Sequence, residues 1–250
     1  MWEAIPPLNA LDIPPYRANL TPFVGQFADG RNHTISVRIA NNHGYWLVDG
    51  NLLLDLDNHG QLTSGNLITY KIAPVASEQV FPVGFVSTHA NRSFTFSGYV
   101  NTSRGQVVTT IEENMTFVDD LLLNIPGLSL TSELWSWIVI RTTTTSPDAT
   151  TIELTRDTFF LEIRDGLLST IGPSRPITSL VIDQLMTRTR SVGVLGSAFS
   201  QALVKDTLHA ELEGATSENY FSNSNGNCYT HFLAAFQGRF YSNSYGTSCT

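Results

Sequence analysis

Between Ile13 and Asp57 apolar residues recur with a period of two, broken by clusters of turn formers, and this pattern restricts the chain to β structure. Ile35, Val37 and Ile39 alternate with Ser36 and Arg38, while Trp46, Val48, Leu52, Leu54 and Leu56 share one parity. Asp29-Gly30 and Asn41-Asn42-His43-Gly44 supply residues that tolerate positive φ, so each is expected to reverse the chain. Pro14, Pro15 and Pro22 cannot donate to a central ladder, which predicts a strand over 16–21 that either lies at a sheet edge or is bounded by prolines at both ends. The expectation is therefore a β meander across this segment.

The same logic extends along the chain. Phe94, Phe96, Gly98 and Val100 alternate with Thr95, Ser97, Tyr99 and Asn101. Leu134, Ile138 and Ile140 alternate with Trp135, Trp137 and Val139, apolar on both parities, which predicts a strand covered on both faces. Ser146-Pro147-Asp148 and Arg164-Asp165-Gly166 read as turns, and Asn225-Gly226 as a tight hairpin. Residues 197–213 have helix-favouring composition but sit among strands, so β is expected there too.

Composition narrows the functional classes. Only 14% of residues are charged and the formal net charge is −8, leaving no basic footprint for a phosphate backbone, so nucleic acid is not expected as a partner. No apolar run approaches the roughly 20 residues that span a bilayer as a helix, so no membrane partner is expected either. There is no G-x-S-x-G, H-E-x-x-H, C-x-x-C, P-loop or G-x-G-x-x-G motif. No metal and no cofactor are expected; His33, His43 and Asp29 read as turn residues rather than ligands. Cys228 and Cys249, the only two cysteines, flank a hairpin and are expected to form a disulfide. Asn32, Asn91, Asn101 and Asn114 each open an N-x-Ser/Thr triplet, so N-glycosylation and a secreted, vacuolar or other secretory-pathway location are expected.

The segment Ile13 to Asp57 also resembles the peptide:N-glycosidase A family of glycoamidases. The resemblance rests on Ile13, Pro14, Tyr16, Leu20, Thr21, Pro22, Phe23, Val24, Gly25, Asp29, Gly30, His33, Thr34, Trp46, Val48, Asp49, Asn51, Leu52, Leu54, Leu56 and Asp57 at fixed spacing. It implies an all-β fold in which residues 1–60 supply the terminal strands of a second jelly roll and residues 61–250 a further antiparallel, sandwich-like accessory domain. The implied activity is hydrolysis of the amide between Asn and N-acetylglucosamine in N-glycosylated peptides, leaving Asp. That chemistry needs a carboxylate to activate water and donors for the oxyanion. In the family the catalytic Asp and Glu lie on strands preceding the region matched, so no catalytic residue is assigned to this chain. An upstream polypeptide completing the jelly rolls is expected as a partner, and the chain alone is expected to be inactive.

Three residues are candidates for the border of a substrate cleft. Trp2 is either a ring that stacks on sugar or a core ring, and Asp49 and Asn51 either face the groove or bond neighbouring loops and solvent. A reading of a different class also remains: a glycan-binding or structural β-sandwich glycoprotein that performs no chemistry.

Overall fold

The computed structural model describes residues 18–36, 50–57, 63–80, 84–124, 129–167, 177–211, 215–236 and 239–249. The architecture is all-β and antiparallel, as the period-two pattern predicts. Eleven strands share one hydrogen-bonded sheet: β1 (Ser64–Ile72), β2 (Ala76–Val80), β3 (Phe85–Thr102), β4 (Gly105–Asn124), β5 (Ser129–Thr145), β6 (Thr150–Leu167), β7 (Ile177–Val194), β8 (Ser200–Glu211), β9 (Ala215–Ser224), β10 (Asn227–Phe236) and β11 (Arg239–Gly246). Their spatial order is β1-β3-β4-β5-β6-β7-β8-β9-β10-β11, with β2 pairing β3 beside β1. Each strand from β3 onward pairs with its successor in sequence, which keeps every connection local.

Turn chemistry closes these hairpins where the sequence places it. Asn225 and Gly226 both take positive φ between β9 and β10, as a two-residue loop matched to strand twist requires. In the β5–β6 loop the Ser146 amide donates to the Ala149 carbonyl at 2.9 Å, around Pro147 and Asp148. The expected turn at Arg164-Asp165-Gly166 does not form. Instead β6 runs through it, with Arg164 opposite Val181 and Gly166 opposite Ser179, because an 18-residue partner strand offers a continuous ladder. Residues 200–211 form β8, as expected over the helix alternative.

In-register pairing aligns side chains across the whole sheet, and the two faces differ. On β4, Thr109, Ile111 and Glu113 are buried while the alternating Glu112 and Asn114 are exposed. The same face carries Leu134, Leu161, Ile182 and Ala210 on four successive strands, packed with Phe117, Phe159 and Ile163. Two ion pairs lie on this buried face. Arg188 grips Asp157 with two bonds of 2.7 and 2.6 Å, and Arg92 reaches the buried Glu113 at 2.9 Å. The opposite, open face holds Asn91, Asn114, Trp135, Trp137 and Phe160. Trp137 is 37% exposed, so the expectation that β5 is covered on both faces fails. Its apolar outward parity is shielded mainly by ring on ring.

The segment with the family resemblance behaves differently from its predicted meander. Thr21–Phe23 form a 3-10 turn running into a one-turn helix α1 (Val24–Phe27), where the strand over 16–21 was expected to end. The Thr21 amide donates to Asn19 Oδ1 at 3.0 Å, a local bond that starts the turn in place of a ladder. Residues 32–36 and 50–57 have no regular structure either, and Leu53 is 90% exposed. Alternation alone does not make a strand; it needs a neighbouring strand to complete its hydrogen bonds. The rest of the predicted meander, Tyr16, Val37, Ile39, the Asn41 to Gly44 turn, Trp46 and Val48 included, lies outside the described residues.

This turn docks onto the buried face at the β1–β3 edge. Pro22 is fully buried, and the Phe23 ring meets Phe96 edge-on at 5.1 Å and Tyr70 at 6.4 Å. Backbones touch here. A methyl at Gly98 would lie 2.0 Å from the Pro22 carbonyl oxygen, and one at Gly25 would lie 2.1 Å from the Gly65 carbonyl carbon. A second anchor is Asp57, whose carboxylate accepts from both the amide and the hydroxyl of Ser103 at 2.6 Å, in the β3–β4 turn.

Candidate functional site

Two groups of side chains have the makings of a site, one on the open face and one buried. The first lies on the open face across β4 to β8. Trp135 and Trp137 point the same way from β5 and stack with ring centroids 5.7 Å apart and planes within 7°. Phe160, directly opposite Trp135 on β6, closes against it at 4.1 Å. One step along the strands runs a row of acids in register: Asp120 opposite Glu133, Glu133 opposite Glu162, and Glu162 opposite Asp183, which in turn faces His209.

Like charges placed directly opposite one another repel, so this row needs counter-charges. Arg164 supplies one, bonding Glu162 at 3.1 Å and Asp183 at 2.8 Å. His209 supplies the other through Nδ1 to Asp183 at 2.5 Å and Nε2 to Glu211 at 3.2 Å. Its bonds with Asp183 and then Glu211 hold the His209 imidazole above its ordinary pKa. Partial burial pushes the Asp183 carboxyl up, but hydrogen bonds from His209 and Arg164 outweigh it and leave the pKa below the usual value. At the near end, Ser87 donates to Asp120 at 2.5 Å. Flat aromatic surface beside a row of half-exposed acceptors suits a ligand with one apolar ring face and hydroxyl donors at its rim, the character of a pyranose.

The second group lies on the buried face of β8 to β10. Asp206 is opposite Tyr220, which is opposite His231; Glu218 sits diagonally between Asp206 and His231. Asp206 is 4% exposed and Glu218 is 2% exposed, and each has a carboxylate oxygen without a hydrogen-bond partner. Burial, then the charge of Asp206, raises Glu218 to about 7, with His231 opposing. Burial likewise raises Asp206, opposed by a bond from the Thr207 amide. Such a pair is able to hold a proton near neutrality, but it is sealed among Leu208, Leu233 and Ala235, so its chemistry is internal rather than presented to a substrate.

The sequence candidates for the border of a substrate cleft are Trp2, Asp49 and Asn51. Trp2 and Asp49 lie outside the described residues, and Asn51 is exposed on a stretch without regular structure. Among the described residues no three His, Cys, Asp or Glu side chains are placed to hold a metal ion, and Asp29 instead bonds His33 at 2.6 Å. Cys228 and Cys249 are disulfide-bonded, with Cα atoms 5.2 Å apart. Asn32, Asn91, Asn101 and Asn114 are all exposed. Sequence reasoning missed both groups described above. The acids of the row are 13 or more positions apart in sequence, and only strand register shows that Asp120, Glu133, Glu162 and Asp183 form one row.

The molecule is thus a large antiparallel β protein with a carbohydrate-compatible open face and a short N-terminal segment docked on its buried one. Residues 1–73 match the model of the family described as peptide N-acetyl-beta-D-glucosaminyl asparaginase amidase A. The chain is similar to peptide-N4-(N-acetyl-beta-glucosaminyl)asparagine amidase A of Prunus dulcis, 28% identical over 131 residues. That alignment covers 51% of this chain and 23% of the relative, so the chain matches about a quarter of that protein's length. No solved structure matches the chain. No helix among the described residues is long and apolar enough to cross a membrane.

Proposed function

We propose that this chain is the C-terminal part of an amidase that hydrolyses the bond between Asn and N-acetylglucosamine in N-glycopeptides, releasing the glycan amine and leaving Asp. The observation that carries this reading is the family match over residues 1–73, which contains every residue of the sequence signature. In this reading the water-activating carboxylates lie on an upstream polypeptide that completes the jelly rolls, residues 61–250 form an accessory β domain, and the chain alone is inactive. The run Leu52, Leu53, Leu54 and Leu56, exposed by 55 to 90%, supports such a partner, since apolar surface of this kind marks an interaction site. The disulfide, and exposure of all four sequon asparagines, support passage through a secretory compartment.

The test is incubation of a glycopeptide with protein purified from its native source, in water enriched in oxygen-18. The expected result is conversion of the glycosylated Asn to Asp carrying one heavy oxygen, unaffected by chelators. A glycopeptide bound but left uncut at acidic and neutral pH would overturn the amidase reading. That outcome would favour a glycan-binding protein without chemistry, for which the Trp135, Trp137 and Phe160 surface beside the acid row is the specific support.

A further inference from the structure

Trp137 is the most solvent-exposed ring of the open-face aromatic cluster, at 37%. Trp135 covers one side of its indole, and the next residue along the strand on the same face is Val139. The uncovered side of the indole therefore looks over Val139. Val139 is half-buried and stands directly opposite Asn114 on β4, so Asn114 is the diagonal neighbour of Trp137. Asn114 is exposed on the open face, opens the triplet Asn114-Met115-Thr116, and borders a hollow of about 370 Å³ shared with Ser93, Val139, Arg141 and Leu154. Thr116, opposite Trp137, donates to Asn91 Oδ1 at 2.9 Å.

We propose that Asn114 carries an N-linked glycan whose innermost N-acetylglucosamine lies over Val139 and stacks on the open side of the Trp137 indole. The occupant is the chain's own glycan, because a sugar tethered at Asn114 starts from the same face and diagonal to Trp137, about 7–8 Å away, within reach of a pyranose ring. The inference rests on the secretory reading above. Attachment replaces one hydrogen of Asn114 Nδ2 by C1 of an oligosaccharide transferred from a lipid-diphosphate donor in the secretory pathway, releasing the lipid diphosphate and a proton. The apolar face of the pyranose then covers an indole that is otherwise wet, at little entropic cost since the ring is tethered. One strand over, Asn91 faces Thr116 rather than the indole, so its glycan is not expected to take this seat.

The test uses the full chain made in a eukaryotic secretory host, with glycans mapped and then trimmed enzymatically to the first sugar. Asn114→Gln should lower Tm by roughly 2–4 °C, the size expected for loss of one good ring contact in a chain of this length. In a Trp137→Thr background the same substitution should leave Tm unchanged. Because Trp137→Thr changes the sheet itself, a second readout is taken on the native sequence: the N-acetyl methyl signal of the Asn114 sugar should be shifted upfield by the indole ring. Equal Tm losses in both backgrounds, or an unshifted methyl, would overturn the proposal. An empty Asn114 beside occupied Asn101 or Asn32 would overturn it while leaving the secretory reading standing; no glycan at any site would remove both. Saturable binding of free N,N′-diacetylchitobiose by the unglycosylated chain, lost in Trp137→Thr, with no Asn114 coupling, would also overturn it and show that the seat serves a glycan from another molecule.

Discussion

The docked turn and the sheet it rests on encode structure in opposite ways. Residues 18–27 hold many signature positions but only a 3-10 turn and one helical turn, and they are positioned by contact: buried Pro22, the Phe23 ring, and glycines that admit backbone to within van der Waals range. The sheet from β1 to β11 has no comparable signature; its strands join side-chain alternation to a neighbouring strand that completes the ladder. Family-specific residues mark where two pieces of backbone must meet, whereas alternation marks where a ladder runs. The first kind of information is sparse and unforgiving; the second is spread over many residues and tolerant.

If that contrast is right, the largest effect should come from filling a docking contact. Gly98→Val would drive a side chain into the Pro22 carbonyl, and overpacking against backbone that cannot shift is expected to cost about 3 kcal/mol or more. Urea unfolding should show the loss, with the far-ultraviolet β signal retained before the main transition as the turn detaches. A cost below about 1 kcal/mol would show that the turn is not held by this contact.

Next in size is the disulfide, which staples the end of the sheet rather than the docked turn. Cys228→Ser with Cys249→Ser releases a loop of sequence separation 21 and should cost about 3 kcal/mol in the chain-entropy model, read as a lowered urea midpoint. Hydrogen exchange should localise the loss to β9–β11 and leave residues 18–27 protected as before.

Glu218 offers a comparable effect that depends on pH. Its folded pKa of about 7 exceeds the ordinary 4.5, so the folded state binds the proton more tightly than the unfolded chain. Stability from this group is fully present below about pH 4.5 and is lost as pH rises through about 7. The displacement corresponds to roughly 3 kcal/mol, shared with the coupled Asp206. Glu218→Gln should therefore raise Tm at pH 8 and flatten the Tm profile between pH 5 and 8; an unchanged slope would mean that the buried carboxylate is not the source.

The smallest effect is expected at an exposed side chain within the signature segment. Leu53→Ser should change the stability of this chain by no more than about 0.5 kcal/mol, because the side chain is already in water. The same substitution should weaken association with an upstream polypeptide, if residues 50–57 form that interface. Thermal unfolding of the chain alone, beside pull-down from native material, separates the two readings.

The period-two pattern and turn residues were enough to identify the class as all-β, to locate β3 and β5, and to find the Asn225-Gly226 and Ser146 to Ala149 reversals, because side-chain alternation and turn residues act over a few positions, while β8 was read only from its place among strands. The cysteine pair was equally legible, since two cysteines allow one bridge. Tertiary structure alone decided that Arg164-Asp165-Gly166 stays in a strand, that Thr21 to Phe27 coils onto glycines instead of extending, and that Leu52 to Leu56 stay without regular structure. In each case the outcome depends on whether a partner strand or backbone is present to satisfy or exclude the segment. Register decided the rest. Asp120, Glu133, Glu162 and Asp183 become one row, Asp206 and Glu218 one buried pair, and Asn114 a neighbour of Trp137, because in-line pairing across 4.7–4.9 Å joins residues that no local rule connects.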